Sequence, residues 1–111
     1  MLEFLKRHGE LGILLLGELI AGIAIINYRG YTEIDWKAYM QEVEGFLKGD
    51  WNYYNLKGDT GPLVYPAGFV YIYSLLYYVC DYGKNILLAQ YIFLGTYLVN
   101  LYTVLSIYKK I

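Results

Sequence analysis

The sequence predicts an all-α membrane protein with about three transmembrane helices and one amphipathic helix in the loop after the first of them. Hydrophobic residues make up 58% of its 111 residues and aromatic residues 19%, more than in an average soluble domain. Long apolar runs recur along the chain, and the polar stretch between the first two has the spacing of an amphipathic helix. Residues 1–111 are therefore interpreted as a single membrane region.

The charge balance and the residue types exclude several classes of function. A net charge of -1 provides no basic surface for nucleic acid, so nucleic-acid binding is not expected. The chain has one cysteine, Cys80, and one histidine, His8, which rules out an internal disulfide and leaves no partners for a zinc site. No carboxylates have the spacing of a metal-ligand cluster. We therefore expect neither a metal nor a cofactor.

The first predicted transmembrane helix covers residues 11–28. Its apolar run gives a length of about 25 Å at about 1.5 Å per residue, which only just reaches across a bilayer. Glu18 is the one charge in this run, and because a charge is costly at membrane depth we expect it to face other helices or a polar cavity. A basic front before an apolar run also fits a cleavable signal peptide. No cleavage site of the A-x-A type follows, which favours an uncleaved signal anchor.

Two further transmembrane helices are predicted at residues 66–82 and 86–108. The first of these is short and rich in tyrosine, whose hydroxyl groups need hydrogen-bond partners in an apolar medium, so we expect burial among neighbouring helices. The last span is about 34 Å long and is the clearest by length. A tight connection through Asp81, Gly83 and Lys84 joins the two.

Basic residues near the first span predict its orientation. Lys6 and Arg7 favour a cytoplasmic N-terminus, which places the loop at residues 29–65 on the opposite, luminal side. Acidic side chains outnumber basic ones in that loop, and an acidic loop is compatible with translocation. Lys109 and Lys110 would then lie on the translocated side as well, which argues weakly against a count of three spans.

The loop contains the amphipathic helix, predicted at residues 32–48. Thr32 is expected to be its N-cap, and Asp35, three residues later, the acid of a capping box. Tyr31 and Trp36 have the positions of a hydrophobic staple around that cap. The cap and the staple together predict a well-defined start of the helix.

The two faces of this helix differ in chemistry. Apolar side chains recur at helical spacing on one face, which is expected to lie on the membrane: Trp36, Tyr39, Met40, Val43, Phe46 and Leu47. Glu42 and Glu44 are expected on the solvated face. The Gly- and Pro-containing stretches GDTGP and YPAG that follow predict a folded connection rather than a slack one.

Asp35 has two interpretations from the local pattern. As a capping-box acid it stabilises the start of the helix by about 0.5–1 kcal/mol. Alternatively, a carboxylate fixed in place at a membrane-facing loop is well positioned as the general base for an acceptor hydroxyl. The two roles are compatible, because a cap fixes the geometry that catalysis needs.

Residues 31–78 read YTEIDWKAYMQEVEGFLKGDWNYYNLKGDTGPLVYPAGFVYIYSLLYY. This stretch resembles the first luminal loop and second helix of the Not56-like family, the dolichyl-phosphate-mannose-dependent α-1,3-mannosyltransferases of the asparagine-linked glycosylation pathway. YTEIDW and GDTGPLVYPAG are the specific motifs. Residues 86–108 match in character only, and the first thirty residues are generic.

The resemblance implies the N-terminal part of a C-type glycosyltransferase fold, in a multi-pass protein of the endoplasmic reticulum membrane. It implies transfer of mannose, with inversion, from dolichyl-phosphate-mannose to a dolichyl-diphosphate-linked oligosaccharide. Membrane lipid is expected as a further partner. Asp35 matches the catalytic acid of the family and is assigned as the general base. The candidate substrate-binding residues are Glu33, Trp36 and Tyr65.

Two questions stay open at this point. The phosphate leaving group needs cationic or hydrogen-bonding support, for which Arg29, Lys37 and Lys57 are the nearby candidates. The chain has three potential spans where whole enzymes of the family have many, so we expect an N-terminal portion that is inactive alone. The alternative is a truncated, non-catalytic small membrane protein that binds a polytopic partner through its loop helix and tyrosine-rich surfaces.

Overall fold

A computed structural model describes residues 2–110 and the side chains of residues 9–110. Within this part of the chain the elements are α1 (Leu2–Tyr28), α2 (Asp35–Leu47), a 3₁₀ turn (Tyr53–Asn55), β1 (Lys57–Gly58), β2 (Gly61–Pro62), α3 (Ala67–Val79) and α4 (Ile86–Lys110). The predominantly helical prediction is confirmed, although the sequence did not predict the hairpin of β1 and β2. The chain divides into two compact units. One contains α1 and α4 from residue 90 onward, and the other, here called the loop unit, contains residues 31–89.

The apolar helices of the described chain differ in length. Gly9–Tyr28 in α1 and Ile86–Lys110 in α4 are each long and apolar enough to cross a membrane. Helix α3 has 13 residues. Its length of about 20 Å is shorter than the bilayer hydrocarbon core of about 30 Å. The helices predicted at residues 11–28 and 86–108 are therefore found with the length of a span. The span predicted at residues 66–82 contains a shorter apolar helix.

Among the side chains that the structure describes, two hydrogen bonds link α1 and α4 within their unit. The Tyr97 hydroxyl donates to Glu18 Oε2 at 2.9 Å. The Asn27 side-chain amide donates to the Tyr91 hydroxyl oxygen at 2.8 Å. Glu18 therefore faces a polar group of a neighbouring helix, as expected of a carboxylate in an apolar segment. The side chains of Lys6 and Arg7, from which the orientation was predicted, lie outside the described residues.

The loop unit is built around α2, which packs against α3 and against β1. Trp36, Met40 and Val43 are buried on the α3 side. The Tyr39 ring lies 5.0 Å from the ring of Phe69 and 5.2 Å from that of Tyr73, both on α3. The predicted apolar face of the helix is thus correct. This face packs against α3 of the same chain, whereas the sequence predicted that it would lie on the membrane.

The hairpin lies against a different side of α2. A Cβ atom at Gly58 would lie 2.5 Å from the Ala38 carbonyl oxygen and 2.8 Å from its Cα, so only glycine permits this approach. The Gln41 side-chain oxygen accepts a hydrogen bond from the Asp59 backbone N–H at 2.7 Å. Lys37 forms an ion pair with Asp59 at 3.3 Å. The predicted folded connection is therefore a hairpin fastened to the helix at three neighbouring points.

The connection between α3 and α4 is tight, as predicted. Asp81, Tyr82 and Gly83 have positive φ angles of 54°, 57° and 83°. The indole N–H of Trp36 donates to the Gly83 carbonyl oxygen at 2.9 Å. A Cβ atom at Gly83 would meet Met40 Cγ at 2.5 Å. The start of α2 is therefore held against the turn that ends α3.

Replacing Gly58 with alanine tests the contact between the hairpin and α2. The added methyl group would meet backbone atoms of Ala38, which cannot move aside as a flexible side chain can. We expect Gly58→Ala to lower the free energy of unfolding by about 1–3 kcal/mol, as overpacking does elsewhere. The measurement is denaturant unfolding of the chain in detergent micelles, followed by near-ultraviolet circular dichroism.

Gly68→Ala is the matched control, because nothing lies within 4 Å of a Cβ atom at this helical position. We expect it to leave stability unchanged or to raise it slightly, since alanine favours helices. Equal stability of the two variants would contradict the proposed contact.

Candidate functional site

The candidate site lies where α2 begins. The helix starts at Asp35, which is its first residue and not its third, and Ile34 before it carries no side-chain cap. The predicted N-cap at Thr32 and the capping box with Asp35 are therefore wrong. The reason is that Glu33 takes over the capping: its Oε1 accepts hydrogen bonds from the backbone N–H groups of Ile34 at 2.8 Å and of Asp35 at 3.1 Å. Two N–H groups at the helix start are thereby satisfied by one carboxylate.

This exchange of roles leaves the Asp35 side chain free for chemistry. Within the described residues the Asp35 carboxylate has no hydrogen-bond or ion-pair partner, and the residue is half-buried. It stands at the positive end of the helix macrodipole. The Glu33 carboxylate turns back to the backbone and accepts a hydrogen bond from the Asp35 N–H. The arrangement can present a carboxylate oxygen to an external hydroxyl group.

Tyr65 is linked to the same helix through Tyr39, which lies one turn beyond Asp35. The Tyr39 and Tyr65 hydroxyl oxygens are 3.2 Å apart, and the two rings meet edge to face. The hydrogen bond to Tyr65, together with burial, raises the pKa of the Tyr39 phenol, so this hydroxyl remains protonated at neutral pH. The Tyr53 hydroxyl donates to the Tyr65 carbonyl oxygen at 2.9 Å, which fixes the backbone of Tyr65. Tyr65 is 44% exposed, so its hydroxyl can be reached from solvent.

Trp36, the third residue predicted to bind substrate, is turned into the protein. It is 7% exposed, its N–H is bonded to Gly83, and its ring lies 6.3 Å from that of Tyr73. Glu33 and Tyr65 are exposed, whereas the indole of Trp36 is not. The geometry gives Trp36 the task of positioning α2, and its contact with substrate stays a prediction.

Glu42, which was expected on the solvated face of α2, is a buried carboxyl group. It is 3% exposed, and its Oε2 has no hydrogen-bond partner in the described chain. The expectation for Glu42 is therefore wrong. Seven residues are about two helical turns, so Glu42 lies on the same side of α2 as Asp35. Burial, followed by the charge of Asp35, raises the pKa of the Glu42 carboxyl.

The sequence carried one signal for this burial. Ala38 and Gly45 are small residues on the flank of α2 next to Glu42, and each is in close contact with the segment that follows the helix. A Cβ atom at Gly45 would lie 3.1 Å from a methyl carbon of Leu56. Small residues around an acid on a helix indicate a close approach of another element. Glu44, in contrast, is only partly buried and pairs with Lys48 at 2.8 Å, as expected for the solvated face.

The basic candidates for binding phosphate have different surroundings. Lys37 is paired with Asp59, and hydrogen bonding to Gln41 and then to Lys37 lowers the pKa of the Asp59 carboxyl. Arg29 and Lys57 are exposed and form no ion pair with any described side chain. Among the same side chains, no three His, Cys, Asp or Glu residues come close enough together to hold a metal ion.

Comparison with known proteins gives a consistent set of relatives. The family described as ALG3 protein matches residues 12–111. A Drosophila melanogaster protein named dolichyl-P-Man:Man5GlcNAc2-PP-dolichol alpha-1,3-mannosyltransferase is 62% identical over 96 residues, which are 86% of this chain and 20% of that protein. The mouse and human proteins, named Dol-P-Man:Man(5)GlcNAc(2)-PP-Dol alpha-1,3-mannosyltransferase, are 56% identical over 86 residues and 54% identical over 97 residues.

These matches cover most of this chain but only a small part of each relative. The mouse match covers 78% of this chain and 20% of the relative, and the human match covers 87% and 22%. The chain therefore spans about a fifth of the length of these curated relatives. No solved structure matches it.

Replacing Glu42 with methionine, a side chain of similar volume, tests the buried carboxyl group. Because its pKa is raised above the ordinary value of 4.5, the folded protein favours the protonated form. Stability is then lost as the pH rises from the ordinary pKa through the raised one. We expect Glu42→Met to increase the free energy of unfolding by about 1–3 kcal/mol at neutral pH and by less below the ordinary pKa.

Denaturant titrations of the chain in micelles at both pH values measure this difference. Glu44→Gln is the control on the partly exposed position of the same helix, and we expect it to change stability little at either pH. A larger gain for Glu42→Met in acid than at neutral pH would contradict the assigned burial.

Proposed function

The chain belongs to the ALG3 protein family, and we propose that it forms the N-terminal part of an endoplasmic-reticulum enzyme that transfers mannose in α-1,3 linkage. The donor would be dolichyl-phosphate-mannose and the acceptor a dolichyl-diphosphate-linked oligosaccharide, as the names of the relatives state for those proteins. The observation that carries the proposal is the free carboxylate of Asp35 at the start of α2, inside the segment that matches the family.

The proposed reaction is a single displacement with inversion. An oxygen of the Asp35 carboxylate accepts the proton of the acceptor mannose 3-hydroxyl while the oxygen of that hydroxyl attacks C1 of the donor mannose. The bond between C1 and the phosphate oxygen breaks, and dolichyl phosphate leaves with the electron pair. The β-linked donor thus gives an α-1,3 product, with no covalent enzyme intermediate.

The neighbouring residues support this step in different ways. Glu33 holds the backbone at the helix start, which fixes the point from which the Asp35 side chain projects. Tyr65, with an accessible hydroxyl next to Tyr39, would donate or accept a hydrogen bond to a sugar hydroxyl. Trp36 would act by keeping α2 in place. The candidates for stabilising the leaving phosphate are Arg29, Lys37 and Lys57. Of these, Lys37 already forms an ion pair with Asp59.

The proposed setting is a multi-pass C-type glycosyltransferase fold with residues 29–65 in the lumen. The two membrane-length helices support a membrane location. In this proposal residues 66–82 enter the membrane through α3, as the second of the three predicted spans, and neighbouring helices of the whole enzyme would cover the exposed side chains on its membrane-embedded part. Leu75 and Tyr78 on α3 are 66% and 58% exposed.

The same exposed face favours the second candidate function. A non-catalytic small membrane protein would use this aromatic surface of α3 to bind a polytopic partner. That function does not need the Asp35 carboxylate. A substitution at Asp35 therefore separates the two candidates.

We expect Asp35→Asn to abolish mannose transfer. A suitable vehicle is a chimera in which residues 12–111 replace the matching segment of the Drosophila relative, expressed in cells that lack the endogenous activity. The asparagine amide has the same shape but cannot accept the proton, so transfer from dolichyl-phosphate-mannose to Man5GlcNAc2-PP-dolichol should fall by about 10²–10⁴-fold or more. Microsomal membranes and radiolabelled donor measure the rate.

Glu44→Gln in the same chimera is the control, since it neutralises an acid on another side of α2. We expect it to keep the transfer rate, and both variants should reach the protein level of the unsubstituted chimera. Transfer by Asp35→Asn at the unsubstituted rate would remove the catalytic role and leave the non-catalytic candidate.

A further inference from the structure

An aromatic cavity lies at the far end of α2 from Asp35. Its volume is 370 Å³. Four aromatic side chains line its walls, Phe46 from α2, Trp51 and Tyr53 from the segment after it, and Tyr71 from α3, while Leu56 and Val70 are buried at its base. We call it the Trp51 groove. It is formed entirely within the loop unit.

The chemistry of the lining selects a neutral ligand that has both apolar and polar faces. No charged side chain lines the groove, which does not suit a phosphate group. Trp51 is 80% exposed and Tyr71 65% exposed. Within the described chain, neither the Trp51 indole N–H nor the Tyr71 hydroxyl has a hydrogen-bond partner. The groove thus combines aromatic faces with free hydrogen-bonding groups at its rim.

A hexose has the matching surface. Its C–H groups form an apolar face that stacks on an aromatic ring, and its hydroxyl groups project around the edge, where indole N–H and phenol groups can bond to them. A lipid tail would cover the same rings but would leave the indole N–H and the phenol without partners, which costs free energy. The lining therefore favours a sugar over a lipid chain.

The groove lies on the same side of α2 as the proposed base. Phe46 follows Asp35 by eleven residues, about three turns, so both lie on the same side of the helix about 16 Å apart along its axis. Tyr39 stands on this side between them and contacts Tyr65. Tyr65 is bonded in turn to Tyr53 in the groove wall. This distance is longer than one sugar ring. The acceptor in the relatives' names, Man5GlcNAc2, contains several sugar rings and is therefore long enough to reach both places.

We infer that the Trp51 groove binds a mannose residue of the acceptor glycan remote from the hydroxyl that reacts at Asp35. The inference rests on the proposed function for the identity of the glycan. Trp51 supplies the stacking face, and Tyr71 a hydroxyl for the edge of the sugar. The groove thereby sets which branch of the glycan reaches the base, and it acts on binding and not on the chemical step.

The direct test is a binding titration that requires no transfer activity. The 111-residue chain in detergent micelles is titrated with free Man5GlcNAc2 heptasaccharide while tryptophan fluorescence is recorded. Trp36 is 7% exposed and Trp51 80% exposed, so a ligand stacked on Trp51 changes the emission of the exposed indole. We expect a saturable change in fluorescence. The Trp51→Phe variant should lose this change, because the indole that reports binding is gone. Maltoheptaose, a neutral glucose oligomer, should not produce it.

Variants measured by calorimetry with the same heptasaccharide define the site. Trp51→Ala should raise the Kd by about tenfold or more, because a central tryptophan dominates binding. Tyr71→Phe should raise it less. Tyr54→Ala is the matched control: Tyr54 is 92% exposed and close in sequence but does not line the groove. Because Trp51 is exposed, we expect the variants to keep the parent circular dichroism spectrum.

The outcomes separate this inference from the proposed function. No saturable response, an equal response to maltoheptaose, or displacement of the heptasaccharide by micellar polyprenol would overturn it, whatever Asp35→Asn does to transfer. In the chimera, Trp51→Ala should raise KM for the acceptor at unchanged kcat and unchanged KM for the donor. A selective rise in the donor KM would also overturn it.

Discussion

The hydrogen bond from the Trp36 indole N–H to the Gly83 carbonyl oxygen fixes the start of α2, and the rest of the loop unit depends on it. The bond joins the first turn of α2, a helix of 13 residues, to the connection that follows α3. Three successive residues of that connection have left-handed backbone conformations. An isolated helix of this length is marginal in water, so tertiary packing must hold it. Trp36 supplies both the buried surface and the directional bond.

The packing around α2 divides its surface among different tasks. One side is covered by aromatic residues of α3, and another by a hairpin that approaches at Gly58 closely enough to exclude a side chain. The side that carries Asp35 lies between these two covers. Glu33 caps the helix from outside, which leaves Asp35 free, and Glu42 on the same side is enclosed. The free carboxylate that we propose as the base and the buried one thus lie on the same side of one helix because of its periodicity.

Much of this arrangement could be predicted from the sequence. The helical spacing from Trp36 to Leu47 identified the apolar face, and the cluster at residues 81–84 identified the tight turn. The cap could not be assigned, because Thr32 and Glu33 both offer an oxygen and only the backbone path decides which one reaches the free N–H groups. The burial of Glu42 depended on a hairpin brought close by Gly58, and such contacts between elements leave little trace in the periodicity of one helix. The family resemblance pointed to Asp35 independently of its helical position, and the matched family agrees with that resemblance.

The central claim is that the Asp35 carboxylate takes the proton of an acceptor hydroxyl. The most direct measurement is an electron cryomicroscopy structure of a whole enzyme that contains this segment, with the acceptor glycan and a non-transferable donor bound. We predict an Asp35 oxygen about 2.6–3.2 Å from the reacting mannose 3-hydroxyl, with that hydroxyl in line with C1 of the donor. An Asp35 side chain turned away from the glycan, with another base at the hydroxyl, would contradict the account.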